Sequence, residues 1–296
     1  MMCSAPGKVI ISGEHSVVYG KHALVTAINL RCYSQVNKAD RIKIISELGE
    51  TGLNFEVHPY VSWAIKLFEE RIKRKITPEV RIKSQIPIAS GLGSSAAVTV
   101  STLAALSLEY GMDFGRDEIF EIAREVELRV QGRASGVDPF VSTFGGAWLM
   151  PEREKFSFNA RLLIVDSGES SITSEMVAKV AMLKERYPEI VDGILDVMDR
   201  ITIEIKKALE TGNDTAVASL FSINQCMLKA IGVSTRKIDR IISMLERSGI
   251  AAKITGAGGG GSILGFVPRR IKEPELEHKW LEVSPEYEGV RCEHGG

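Results

Sequence analysis

The sequence contains no run of about 18 apolar residues, so no transmembrane helix is expected. Its first residues, Met1-Met2-Cys3-Ser4-Ala5-Pro6-Gly7-Lys8, have no charged segment leading into an apolar core, so a secretory signal is not expected either. Cysteine is scarce. The four residues Cys3, Cys32, Cys226 and Cys292 are far apart in sequence and form no CxxC pair. That argues against zinc and against a disulfide framework, and the expectation is four reduced thiols in a cytosolic protein. No two of the five histidines (His15, His22, His58, His278 and His294) stand at i, i+4, and no HExxH motif occurs. Neither charge sign is in excess, with 37 Lys+Arg against 38 Asp+Glu and a net charge of −1. Non-specific binding to nucleic acid or to an anionic membrane is therefore not expected. The Walker A pattern GxxxxGK[ST] is missing too, which excludes the commonest phosphate loop. No internal repeat or low-complexity tract is visible.

What is present is an ordinary globular composition, 44% hydrophobic and 25% charged, in 296 residues. A single hydrophobic core stops growing near this length, so two domains are expected. Glycine is slightly over-represented, 27 residues or about 9% against a usual ~7%. The glycines clump as Gly91/Gly93, Gly145/Gly146 and Gly256/Gly258–Gly261.

Short apolar runs at 9–12 and 23–28 predict strands, and 31–45 alternates enough for a further strand or hairpin. Residues 60–75 have helical apolar spacing, and 79–86 alternate as a strand. Residues 95–110 are small and apolar nearly all round, which predicts a buried helix stopped by Gly111. Asp117 reads as the N-cap of a helix running to about Gln131. Strands follow at 144–151 and 161–165. Helices are expected at 174–186, 189–210, 214–231 and 235–249, then strands at 251–255 and 262–267 around the last glycine cluster. Strands and helices do not alternate regularly, so both halves read as α+β. The domain boundary falls in the polar stretch 151–159, giving domains 1–155 and 156–296.

The segment Pro87-Ile88-Ala89-Ser90-Gly91-Leu92-Gly93-Ser94-Ser95-Ala96-Ala97 lies between a predicted strand and the buried helix. Glycines let the backbone approach a ligand, and the first N–H groups of a helix favour an anion. The loop fits a phosphate cradle, or a plain tight turn capped by serine. Gly91-x-Gly93-x-x-Ala96 matches the dinucleotide fingerprint letter by letter, but the βαβ unit and the acidic residue ending the next strand are missing. Gly256-x-Gly258-x-x-Gly261 matches as well, yet a strand follows it. As a linker this second cluster is poorly placed between two β-branched strands. A backbone wrapped against a ligand or against the first loop is the expectation.

Two acids stand out. Glu127 falls in the last turns of a helix, where a carboxylate opposes the helix dipole by about 0.3–1 kcal/mol. Arg129, Arg133 or a bound cation would offset this. Asp138 precedes Pro139, which predicts an extended, stiffly held loop residue. Each acid alone also fits a solvated or capping role, and Lys8 alone fits a surface lysine.

Together these segments resemble the GHMP kinases. Three motifs occur in order: Ala5-Pro6-Gly7-Lys8 with Gly13-Glu14-His15, then residues 87–97, then Lys253-Ile254-Thr255-Gly256-Ala257 with four following glycines and Ser262. Gly13-Glu14-His15-Ser16-Val17-Val18-Tyr19-Gly20 and Ser135-Gly136-Val137-Asp138 are closest to the mevalonate-phosphorylating branch of the short archaeal kind. Galactokinases usually show Gly-Glu-His-Thr-Asp-Tyr instead. Ala134 stands where many of that branch have proline.

The resemblance implies an N-terminal domain like ribosomal protein S5 domain 2 and a ferredoxin-like C-terminal domain, with the active site in the cleft. It implies ATP-dependent phosphorylation of the C5 hydroxyl of mevalonate with Mg²⁺, in a cytoplasmic homodimer. By motif position, Pro87, Gly91, Leu92, Gly93, Ser94, Ser95 and Ala96 hold the nucleotide, with Ser95 and Glu127 on the metal. Asp138 takes the hydroxyl proton and Lys8 lies beside it. Glu14, His15 and Gly256 join them in lining the acceptor pocket. The competing expectations are a sister kinase, for phosphomevalonate, homoserine or galactose, and a non-catalytic ligand sensor on the same fold.

Overall fold

A computed structural model describes residues 1–87, 90–132, 135–268 and 278–293. Ile88, Ala89, Arg133, Ala134 and His294, named above, lie outside the described residues. In chain order the elements are β1 (Met2–Ser12), β2 (Ala23–Lys38), β3 (Lys43–Ser46), β4 (Gly49–Thr51), α1 (Pro59–Ile72), β5 (Pro78–Ser84), α2 (Ser94–Glu109), α3 (Arg116–Gln131) and α4 (Val137–Phe144). There follow β6 (Ala147–Met150), β7 (Glu154–Phe156), β8 (Arg161–Asp166), α5 (Thr173–Arg186), α6 (Pro188–Glu210), α7 (Asp214–Ala230) and α8 (Arg236–Arg247). The chain ends in β9 (Ala251–Ile254), β10 (Ser262–Val267), β11 (Trp280–Val283) and β12 (Arg291–Glu293).

Contacts divide the chain into two units, and neither is continuous in sequence. Unit 1 comprises Met1–Lys8, Ala27–Gly146 and Glu286–Gly296, and unit 2 comprises Val9–Thr26 and Ala147–Pro285. This differs from the single cut after residue 155. The polar stretch near 151 marks only one of the crossings, because β1 and β2 each run from one unit into the other.

In unit 1 the strand order is β12-β1-β2-β5-β3-β4. Helices α1 to α4 pack on one another. Helix α2 has buried residues on every side, as its small apolar sequence requires. Two local expectations are corrected. Asp117 does not cap α3; Gly115 holds that position, and Asp117 sits in the first turn, where its charge suits the helix dipole. Asp138 is not an extended loop residue but lies in the first turn of α4. Pro139 is tolerated there because the first N–H groups of a helix have no intrahelical partner to lose.

In unit 2, β6 pairs with Ala23–Thr26 of β2, and β7 pairs with β6. A separate antiparallel sheet runs β11-β8-β10-β9. Helices α5 to α8 fall where the periodicity places them. Asn213 caps α7 by accepting from Ala216 N at 3.1 Å, and Thr235 caps α8 by accepting from Ile238 N at 3.2 Å. Ile238, Ile241, Ile242 and Leu245 form the buried stripe of α8, and they join Leu163, Val165, Leu195, Met198 and Ile263 in the core. No helix among the described residues is long and apolar enough to cross a membrane.

Candidate active site

The site in unit 1 is built where β1 passes the loop before α2. Lys8 N donates to Leu92 O at 2.8 Å. Gly93 has φ 75° and caps α2, and a Cβ there would lie 2.9 Å from Lys8 Cγ. Glycine thus permits both the left-handed turn and the passage of the lysine side chain. No side chain caps the start of α2, so Ser94 and Ser95 do not have the capping role that a plain turn would give them. Gly91 is exposed with φ 75°, while Leu92 and Ala96 are buried and anchor the loop. Ser90 Oγ closes the turn onto Pro87 O at 2.7 Å.

Lys8 is no surface lysine. Its side chain is 7% exposed, and its Nζ lies 3.1 Å from Asp138 Oδ1. Helix α4 is itself fixed to the strand by Ser142, whose hydroxyl donates to Pro6 O at 2.9 Å. Glu127, near the end of α3, accepts from Gly136 N at 3.1 Å. Burial pushes the Glu127 carboxyl above its ordinary value, and the nearby charge of Asp138 pushes it the same way. Ser95, Ala96, Thr99, Glu127 and Asp138 line a small cavity of about 20 Å³, room for one water or ion. A second cavity of about 310 Å³ opens beside Ser94 and Ser95, lined by Leu48, Val57, His58, Tyr60, Ile82 and Val98. His58 is held on both ring nitrogens, by Ser46 Oγ at 2.9 Å and Thr51 Oγ1 at 2.8 Å.

Unit 2 carries the remaining sequence-predicted residues. Glu14 and Lys253 form a fully buried ion pair, and Lys253 Nζ also donates to Ile254 O at 2.6 Å. Burial lowers the Lys253 pKa, and the Glu14 carboxylate opposes that shift. His15 stands at φ 61°, an uncommon conformation for a side-chain-bearing residue. Its Nε2 donates to Ala257 O at 2.8 Å, which fixes the tautomer, and burial holds its pKa below the ordinary value. Gly256, beside Ala257, has φ 89° and no close neighbour where a side chain would stand. The glycine cluster is not a linker. Gly259 N donates to Val233 O at 2.7 Å and Gly261 N to Glu169 O at 2.8 Å, so it is pinned to two neighbouring loops.

The structure thus groups Lys8, Glu127, Asp138 and the 91–96 loop in unit 1, and Glu14, His15 and Gly256 in unit 2. Sequence reasoning missed two features. Lys253 was visible only as the first residue of a motif, and nothing in its spacing paired it with Glu14. The larger cavity gathers residues from β2, β3, β5, α1 and α2, and no local pattern reports such a gathering.

The GHMP kinases N terminal domain model matches residues 59–146, and the GHMP kinases C terminal model matches residues 205–285. This chain belongs to the GHMP kinases. The mevalonate kinase of Archaeoglobus fulgidus is 52% identical over 293 residues, covering 99% of this chain and 100% of that protein. That of Pyrococcus horikoshii is 38% identical and covers 92% of this chain and 90% of its own length. The crystal structure of the Methanococcus jannaschii mevalonate kinase superposes on this GHMP kinase with a TM-score of 0.84 at 30% identity, covering 96% of this chain and 98% of that one.

Proposed function

We propose that this GHMP kinase transfers the γ-phosphoryl group of ATP to the C5 hydroxyl of mevalonate, giving 5-phosphomevalonate. The observation that carries the chemistry is the Lys8–Asp138 pair at 3.1 Å beside an uncapped, glycine-led helix start. The choice of acceptor is supported by full-length 52% identity to a mevalonate kinase.

Phosphoryl transfer needs alignment and charge neutralisation more than covalent help. In this reading the N–H groups of the 91–96 loop hold the phosphates, and the 310 Å³ cavity takes the nucleoside. Asp138 accepts the proton of the attacking hydroxyl. Lys8 orients Asp138 and places positive charge where the phosphoryl group passes. Glu14, His15 and Gly256 serve the acceptor, with the Glu14–Lys253 pair keeping that part of the chain rigid.

The small cavity suits Mg²⁺. No group of three or more acidic, histidine or cysteine ligands occurs among the described residues, and Mg²⁺ commonly takes one or two carboxylates and completes its shell with phosphates and water. Ser95 and Glu127 would hold it, and when bound it neutralises phosphate charge.

ADP release measured over mevalonate, phosphomevalonate, homoserine and galactose tests the reading. Mevalonate is expected to give the highest kcat/KM. Preference for another acceptor would reassign the substrate, and ATP binding with no turnover on any of them would favour a sensor.

A further inference from the structure

Strand β12 lies antiparallel to β1, with Met2 opposite Glu293, Cys3 opposite Cys292 and Ser4 opposite Arg291. Two of the four cysteines are therefore directly cross-strand, although they stand at opposite ends of the sequence. Opposed residues on antiparallel strands have Cα atoms about 4.5–5.5 Å apart, within the ~4.4–6.8 Å that a disulfide spans. Directly opposed side chains stand on the same face of the sheet, with Cβ atoms about 4.5–5.5 Å apart. Cys3 is fully buried and Cys292 is exposed.

We propose that Cys3 and Cys292 form a reversible dithiol–disulfide site that locks the C-terminal segment onto unit 1. The partner is a low-molecular-weight disulfide. The adjacent Cys292 thiol, together with burial, raises the Cys3 thiol well above its ordinary value, and Cys3 in turn lowers that of Cys292 and favours its thiolate. Cys292 is thus the attacking sulfur, being both accessible and thiolate-prone. Its sulfur bonds to one sulfur of the small disulfide, whose S–S bond breaks and releases one thiolate. Cys3 then gives up its proton, which ends on that released thiolate, and attacks Cys292. The mixed disulfide breaks and frees a second thiolate, which takes the proton Cys292 had already lost to solvent. The two protein sulfurs are oxidised, and the small disulfide is reduced to two thiols.

The segment that this bond would secure is closely fitted. Val290 N donates to Thr143 O at 3.1 Å, at the end of α4. A Cβ on Gly289 would lie 2.1 Å from Thr143 O, so only glycine fits between strap and helix. Arg31 donates to Gly289 O at 2.6 Å and to Ser4 O at 3.1 Å, tying the strap to β1. The lock therefore acts on the same helix that carries Asp138. Cys32 and Cys226 serve as internal controls. Cys32 is buried with its thiol pushed up to about 12, and Cys226 has no cysteine partner among the described residues.

The test is incubation of the whole protein with glutathione disulfide, then non-reducing peptide mapping and thermal unfolding. The expected result is a Cys3–Cys292 cross-linked peptide that dithiothreitol removes and Cys292→Ser abolishes. The oxidised protein should unfold at least roughly 5 °C higher than the reduced one. Glutathione left as a stable adduct on Cys292 without the cross-link would overturn the proposal. So would a cross-link that leaves the unfolding temperature unchanged.

Discussion

Lys8 shows how far a residue's role depends on what the fold brings to it. Alone in the sequence it is one basic residue before an apolar strand. In the fold its charge is almost wholly enclosed, 3.1 Å from a half-buried aspartate. Removing one partner of an enclosed pair leaves the other uncompensated. Asp138→Asn is therefore expected to lower kcat by about 10²–10⁴-fold while ATP binding persists. Steady-state kinetics beside a nucleotide-binding titration checks this, and near wild-type turnover would remove Asp138 from the chemistry. The aspartate was legible from its motif, but its setting was not. A proline at the next position ordinarily favours extended backbone, and only the tertiary placement of α4 shows that the pair opens a helix. Glu14 is the reverse case. The motif marks it, while the lysine that balances its buried charge is 239 residues away.

At the scale of elements, the end of α3 and the beginning of α4 bring two carboxylates together around a cavity of about 20 Å³. The Glu127 carboxyl is raised above its ordinary value, first by burial and then by Asp138. A raised folded-state value means that the ionised form opposes folding above that value, and the opposition fades as pH falls through it. Glu127→Gln should accordingly leave the metal-free protein at least as stable as wild type. It should also raise the Mg²⁺ concentration for half-maximal activity by roughly tenfold or more. A magnesium titration with thermal unfolding measures both, and an unchanged titration would remove Glu127 from the metal site. Elements of this kind were the most legible part of the sequence. The long helices α5 to α8 repeat their apolar spacing over three or more turns, and their expected ends agree with the fold to within two residues. The short strands β4, β7, β11 and β12 were not legible. Three or four residues hold too little periodicity to register, and their pairing is set by distant partners.

At the scale of the whole molecule, Arg31 does what no local signal announced. Its guanidinium is 3% exposed, donates to Ser4 and to the carbonyls of Glu288 and Gly289, and lies 3.4 Å from Glu286 Oε2. Strand β2 is thereby joined to β1 and to the strap. Arg31→Met leaves several buried acceptors without a donor, at a cost on the order of 3 kcal/mol. The unfolding temperature should fall by roughly 6–12 °C. Differential scanning calorimetry measures this, and a fall of less than about 2 °C would show that the strap is held by other means. Such a residue is invisible in sequence because its side-chain partners come from two distant stretches of chain, at Ser4 and at 286–289.

The same strap sets an order of events during synthesis. Unit 1 holds the 91–96 loop and Asp138, yet it needs Glu286–Glu293, which leave the ribosome only after all of unit 2 has been made. The growing chain can thus complete the core around β8, β9 and β10 while α4 still lacks the backbone that Thr143 O accepts from. Phosphoryl-transfer competence is in this sense the last property the nascent chain acquires.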